Sequence, residues 1–267
     1  MKLKLNISPC PNDTFMFDAL IHARVDTEGL EFDVNYLDIE QLNEQVTQDN
    51  TIDISKISYA ILPHILDNYK ALDSGSALGY GNGPLVVSHK KGLEISENTS
   101  LICPGERTTA RLLIAKIFPQ IKNIDNQIFC DIADSVAAKK YDAGVIIHEG
   151  RFTFAEKNLH LVADLGKEWE QLTGLPLPLG AIVVNKNLDE NLMQKINRVL
   201  KRSILYAQEN PLASREFILS HAQELSNEVI ENHINMFVNE FSVSLTSKGE
   251  RAVRELCGIN EENIFVK

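Results

Sequence analysis

Through the first two thirds of the chain, short apolar runs alternate with stretches in which apolar residues recur every three or four positions. Lys2 to Ser8 reads as a strand, Pro9 to Asp13 as a loop, and Thr14 to Val25 as a helix with Phe15, Met16, Ala19, Leu20 and Ala23 on one face. The same reading gives a strand over Leu30–Leu37, a helix over Ile39–Gln48 and a strand over Ile52–Ile57. A helix over Tyr59–Tyr69 follows, which Pro63 must break or restart. Beyond a Gly-rich stretch, Leu78–Gly83, come strands over Pro84–His89 and Ser100–Cys103, a loop over Pro104–Thr109 and a helix over Ala110–Phe118. Ile128–Ile132, Ser135–Lys140 and Ala143–His148 then read as strand, helix and strand. Such alternation predicts parallel sheets with helices on both faces.

The last third has a different pattern. One strand over Ala181–Asn185 is followed by amphipathic helices over 188–208, 212–223, 227–240 and 247–257. The last of these opens on the capping-box pattern Ser247-Lys248-Gly249-Glu250. The layout predicts two lobes joined by two crossings. The first takes residues 1–87 and 182–267, and the second takes 88–181, with crossings near His89 and the Pro/Gly-rich 174–180 segment. A ligand cleft between lobes suits this arrangement, because pockets favour domain interfaces and the carboxyl ends of parallel strands.

Length and charge narrow the class. The chain has 267 residues, enough for one large or two ordinary domains. Its formal net charge of -11 argues against nucleic-acid and membrane partners. An anionic small molecule therefore needs a locally organised site. Polar residues and Pro9 interrupt the first residues, Met1 included, where a signal peptide needs an apolar stretch, and no run is long enough to span a membrane. Cys10, Cys103, Cys130 and Cys257 form no CxxC pair and read as reduced thiols of a cytoplasmic protein. The oligomeric state stays open between monomer and homodimer.

Three strand-to-helix junctions carry candidate anion-binding groups: Pro9–Asp13 with Asn12 and Asp13, Lys56–Tyr59 with Ser58, and Gly105–Thr109 with Thr108 and Thr109. Plain N-capping is the competing reading at each. His148 ends an apolar strand, Gly144-Val145-Ile146-Ile147, and Arg151 follows it closely. A neutral imidazole at such a strand end suits proton abstraction near neutral pH. Cys10 offers a nucleophile for His148 to activate, but nothing else points to acyl transfer. Gly79-Tyr80-Gly81-Asn82-Gly83 leads into a strand and so is no dinucleotide fingerprint. No Walker sequence and no zinc-ligand spacing occurs.

Ser8-Pro9-Cys10-Pro11-Asn12-Asp13-Thr14-Phe15 resembles the opening of the 1,4-dihydroxy-6-naphthoate synthase family of the futalosine route to menaquinone. Lys56-Ile57-Ser58-Tyr59-Ala60, Gly79–Pro84, Pro104–Ala110, His148-Glu149-Gly150-Arg151-Phe152, Trp169-Glu170, Thr173-Gly174 and Pro178-Leu179-Gly180 resemble its later segments in order. Phe154 stands where that family suggests a tyrosine. The resemblance implies an α/β, two-lobed, periplasmic-binding-protein-like (type II) fold with a ligand cleft between lobes. It implies a carbon–carbon lyase acting on cyclic dehypoxanthinyl futalosine, without metal or organic cofactor. It makes His148 the base and places substrate on Ser55, Lys56 and Ile57 or just beyond, and on Thr108 and Thr109. Asn12, Asp13, Ser58 and Arg151 are further candidates for contact. Chorismate dehydratase of the same pathway and a non-catalytic small-carboxylate binder remain as alternatives.

Overall fold

The computed structural model describes residues 2–148, 150–222 and 226–267. Met1, Glu149 and the end of the helix expected over 212–223 lie outside the described residues. The chain divides into two compact units, residues 1–79 with 178–267, and residues 80–177. The dividing points fall at 79/80, upstream of the crossing expected near His89, and at 177/178, within the 174–180 segment.

The first unit begins with β1 (Lys2–Ile7), α1 (Pro11–Ile21), β2 (Glu31–Tyr36), α2 (Ile39–Gln48), β3 (Ile54–Ser58), the single turn α3 (Leu62–Ile65), β4 (Tyr69–Leu72) and β5 (Ala77–Gly79). The second unit carries β6 (Leu85–Ser88), β7 (Leu101–Cys103), α4 (Thr109–Ile117), β8 (Ile124–Asn126), α5 (Phe129–Ala137), β9 (Ala143–Ile146), α6 (Gly150–Thr153), β10 (His160–Asp164) and α7 (Leu165–Thr173). The chain then returns through β11 (Leu177–Asn185), α8 (Glu190–Glu209), α9 (Arg215–His221), α10 (Asn227–Phe237), α11 (Glu240–Val243), α12 (Thr246–Cys257) and β12 (Phe265–Val266).

In the first unit the strand order is β12-β4-β11-β3-β1-β2, with β5 also on β11. β1 runs parallel to β2 and β3, but β11 is antiparallel to β3 and β4. Leu3, Leu5 and Ile7 of β1 are fully buried, each such side chain contributing roughly 1.5–3 kcal/mol. They share a core with Phe15, Met16 and Leu20 of α1 and Ile196, Val199, Leu200 and Ile204 of α8. α1 starts three residues earlier than expected, with Pro11 in its first turn, where a missing N–H costs nothing. It is buried on all sides from Pro11 to Leu20 rather than along one stripe, because α8, α9 and α10 all pack on it.

The second sheet has the order β10-β6-β9-β7-β8 and its own core of Leu85, Val87, Ile102, Ile132, Val136, Ile146 and Leu159. β6 is antiparallel to both β9 and β10, while β7 runs parallel to β8 and β9. Both sheets are therefore mixed, not parallel as expected. The crossover helices enforce parallel pairs, and the strands that cross between units enter in the opposite sense.

Three local expectations fail for identifiable reasons. Ile128–Ile132 is not a strand: α5 spans Phe129–Ala137, and Ile132 and Val136, four residues apart, point together into the core. Such a short apolar run has no decisive period of its own. The segment after Pro63 gives one helical turn and then β4, where the Tyr69 hydroxyl donates to the carbonyls of Asp49 and Ile52 at 3.2 Å each. The capping box at Ser247 does not form, since α12 begins at Thr246 with no side-chain cap.

Candidate active site

In the first unit, the loop between β1 and α1 builds a buried polar cluster around Asp13, which is fully buried. Its Oδ2 accepts from the Ser8 hydroxyl at 2.7 Å and the Ser8 N–H at 3.3 Å. Its Oδ1 accepts from Asn12 Nδ2 at 2.9 Å and from Lys56 Nζ at 2.6 Å. These four donors occupy the carboxylate's four lone-pair positions. Asn12 Oδ1 in turn lies 3.0 Å from Nε2 of His233, a fully buried residue of α10. The Cys10 carbonyl accepts from the backbone of Asp13 and Thr14, so this segment opens the helix through its backbone.

β3 presents Ser55, Lys56, Ile57 and Ser58, all buried. Ser55 donates its hydroxyl to the Lys56 carbonyl at 3.0 Å. Ser58 is paired twice with the Asn43 amide of α2, its N–H donating at 2.8 Å and its hydroxyl oxygen accepting at 3.0 Å. The charge of Lys56, expected to serve an anion, is already matched by Asp13. Among the described residues its ammonium has no further acceptor, so two of its three N–H groups remain to be used.

In the second unit, Thr108 caps α4. Its hydroxyl oxygen accepts from the Arg111 N–H at 3.2 Å and its O–H donates to the Gly105 carbonyl at 2.8 Å. Thr109 follows as the first helical residue and is buried. This junction carries both a cap and the first-turn N–H groups of a nine-residue helix.

His148 lies two residues beyond β9, not on the strand as expected. Its φ of 54° places a non-glycine residue in the left-handed region. Its ring is half-buried and meets Phe129, the first residue of α5, edge to face at 4.9 Å. Arg151 is a brace. It donates to the Gly83 carbonyl at 2.6 Å and faces the Asp164 carboxylate at 3.8 Å. Burial pulls its guanidinium below the ordinary value, and the Asp164 charge opposes this. Asp164 also caps α7, while Glu170 of that helix accepts from the Gly81 N–H at 2.7 Å. The Gly-rich loop is thus fixed by Arg151 and Glu170. Phe154 packs on the second core.

The structure brings Asn12, Asp13 and Lys56 into one network and sets Ser58 in a separate pair with Asn43. His233 is the member that sequence reasoning missed. A lone buried histidine on an amphipathic helix gives no signal until the loop it touches is placed. Among the described residues no three His, Cys, Asp or Glu side chains gather as a metal cage, and no helix is long and apolar enough to cross a membrane.

Two α/β units with mixed sheets, each with its own core and joined by two crossings, define a periplasmic-binding-protein-like fold. The chain superimposes with a TM-score of 0.65 on a Candida albicans protein with the generic periplasmic binding protein fold, over 98% of this chain and 92% of that one at 13% identity. A protein of Archaeoglobus fulgidus is far nearer, with a TM-score of 0.89 and 31% identity over 96% of this chain and 95% of that chain. A family model described as menaquinone biosynthesis matches residues 3–262, and the chain belongs to that family. Two relatives bear the name 1,4-dihydroxy-6-naphtoate synthase. The Thermus thermophilus protein is 41% identical over 95% of this chain and 92% of its own length. The Streptomyces coelicolor protein is 39% identical over 95% and 91%.

Proposed function

We propose that the protein is a lyase of menaquinone biosynthesis that converts cyclic dehypoxanthinyl futalosine to 1,4-dihydroxy-6-naphthoate and a three-carbon fragment, with His148 as the base. The carrying observation is the match of residues 3–262 to the menaquinone-biosynthesis family, with His148 set two residues beyond β9 in a left-handed backbone. A residue forced there costs about 1 kcal/mol or more and persists where the surroundings demand that geometry. The names of the two relatives support the product.

The chemistry asks little of the protein beyond placement. The substrate carries a benzoate-type carboxylate, and the N-terminal turn of α4 with Thr108 and Thr109 suits such an anion. Ser55, Lys56 and Ile57 supply further contacts, with Asn12, Asp13, Ser58 and Arg151 holding their loops. His148 removes one proton, a carbon–carbon bond breaks, and aromatisation of the new ring drives the step. A positioned base is worth roughly 10²–10⁴-fold. The four cysteines stand outside any disulfide, which supports a reducing, cytoplasmic setting. Purified protein supplied with cyclic dehypoxanthinyl futalosine or chorismate tests the reading: turnover of the futalosine derivative is expected, and turnover of chorismate alone overturns it.

A further inference from the structure

Lys56 is a buried ammonium whose surroundings fix its direction. Its side chain is 6% exposed and its Nζ is 2.6 Å from Asp13 Oδ1. Asp13 cannot turn toward another group, because Ser8 and Asn12 hold its remaining lone pairs. Asn12 in turn is oriented from both ends. Its Nδ2 donates to Asp13, so its Oδ1 faces His233 and Nε2 of that ring is the donor at 3.0 Å. A line of hydrogen bonds therefore runs from α10 through Asn12 and Asp13 to the ammonium.

The other side of Lys56 is set by a missing side chain. β3 and β11 pair with Lys56 opposite Ile182 and Ser58 opposite Gly180, so Gly180 is a same-face neighbour of Lys56. A Cβ at Gly180 would stand 2.8 Å from Lys56 Cε and 3.1 Å from the Ile57 carbonyl oxygen. Any other residue there pushes the lysine stem away from its present line.

We propose that His233 and Gly180 are positioning residues that aim the two unspent N–H groups of Lys56 at an acceptor oxygen of the substrate. A desolvated ammonium with unused donors is costly until an acceptor arrives. This rests on the functional reading above, since it takes Lys56 as a substrate contact. Neither residue touches substrate; each acts through Lys56.

The test compares His233→Leu, His233→Gln and Gly180→Ala with Lys56→Met and the unaltered protein. Affinity for 1,4-dihydroxy-6-naphthoate is measured by calorimetry, KM and kcat with cyclic dehypoxanthinyl futalosine, and stability by urea unfolding. His233→Leu and Gly180→Ala should weaken product binding and raise KM on the order of tenfold, as loss of one oriented hydrogen bond to a charged group implies. kcat should change far less. His233→Gln, whose amide keeps a donor facing Asn12, should recover most of the loss. Should Gly180→Ala not fold, the two His233 variants decide alone. If His233→Leu lowers stability while Kd and KM stay at the unaltered values, its role is structural and the inference is wrong. Lys56→Met separates the two levels. If it binds product normally, or if the unaltered protein neither binds nor turns over, the functional reading of this site falls together with the inference.

Discussion

The buried pair of Asp13 and Lys56 gives the sharpest test of how the first unit is held. Asp13→Asn leaves the Lys56 ammonium in a site 6% exposed with no compensating charge. It also turns an amide NH2 toward donors from Ser8 or from Asn12 and Lys56. Breaking a buried pair from one side costs about 3–5 kcal/mol. Lys56→Met belongs at the lower end of that range, because Asp13 keeps three donors, and Asp13→Asn at the upper end. At roughly 2–4 °C per kcal/mol for a chain of this size, the losses are about 6–20 °C in Tm. The double variant should cost less than the sum of the singles, by on the order of 1–3 kcal/mol. Urea titration followed by far-UV circular dichroism reads the first unit, which holds most of the helices. Trp169, the one tryptophan of the chain, lies in the second unit, donates to the Pro176 carbonyl at 3.1 Å and should report an unchanged transition. Strict additivity, or singles that cost under about 1 kcal/mol as exposed pairs do, would refute the idea that this pair is mutually dependent.

Other expectations follow from particular contacts. Gly144→Ala places a Cβ 2.7 Å from methyls of both Ile132 and Val136, so α5 must shift off β9. Trp169 fluorescence should show the second unit losing about 1–3 kcal/mol. The Lys90 ammonium and the Ser100 N–H and hydroxyl hold Asp142 down to about 2, below its ordinary 3.8. Its folded value is the lower one, so its contribution is complete above about pH 4 and disappears as pH falls toward 2. Asp142→Asn should flatten the pH dependence of second-unit stability in that window and leave it unchanged at pH 6–8. At His148 the left-handed φ makes His148→Gly more stable than His148→Ala by about 1 kcal/mol, read as a higher urea midpoint. Equal midpoints would mean that the turn relaxes in solution.

Much of this architecture was legible because its signals are local. The alternation of β1, α1, β2, α2 and β3, and the long amphipathic α8, follow from the period of apolar residues, and α2 begins and ends where expected. Sheet sense was not legible. Whether β11 lies parallel or antiparallel to β3 depends on the route of the intervening chain, which no period in Leu177–Asn185 records. The α5 segment failed because so short an apolar run fits either period, and the close seat of its Ile132 and Val136 on Gly144 is a tertiary contact. Within the candidate site, the opening Pro-Cys-Pro-Asn-Asp segment singled out Asn12 and Asp13 but not their partners. That Asp13 binds Lys56, that Thr108 caps α4, and that His233 reaches Asn12 across 221 residues are tertiary facts.

Deprotonation of a cyclised futalosine derivative by His148 is the proposed step on which the function of this member of the menaquinone-biosynthesis family turns. The most direct measurement is single-turnover formation of 1,4-dihydroxy-6-naphthoate by the unaltered protein and by His148→Ala, with ligand binding measured on the same samples. Product is expected from the unaltered protein, with a loss of roughly 10²–10⁴-fold in the variant and binding retained in both. A His148→Ala protein that forms product at the unaltered rate would contradict the proposed step.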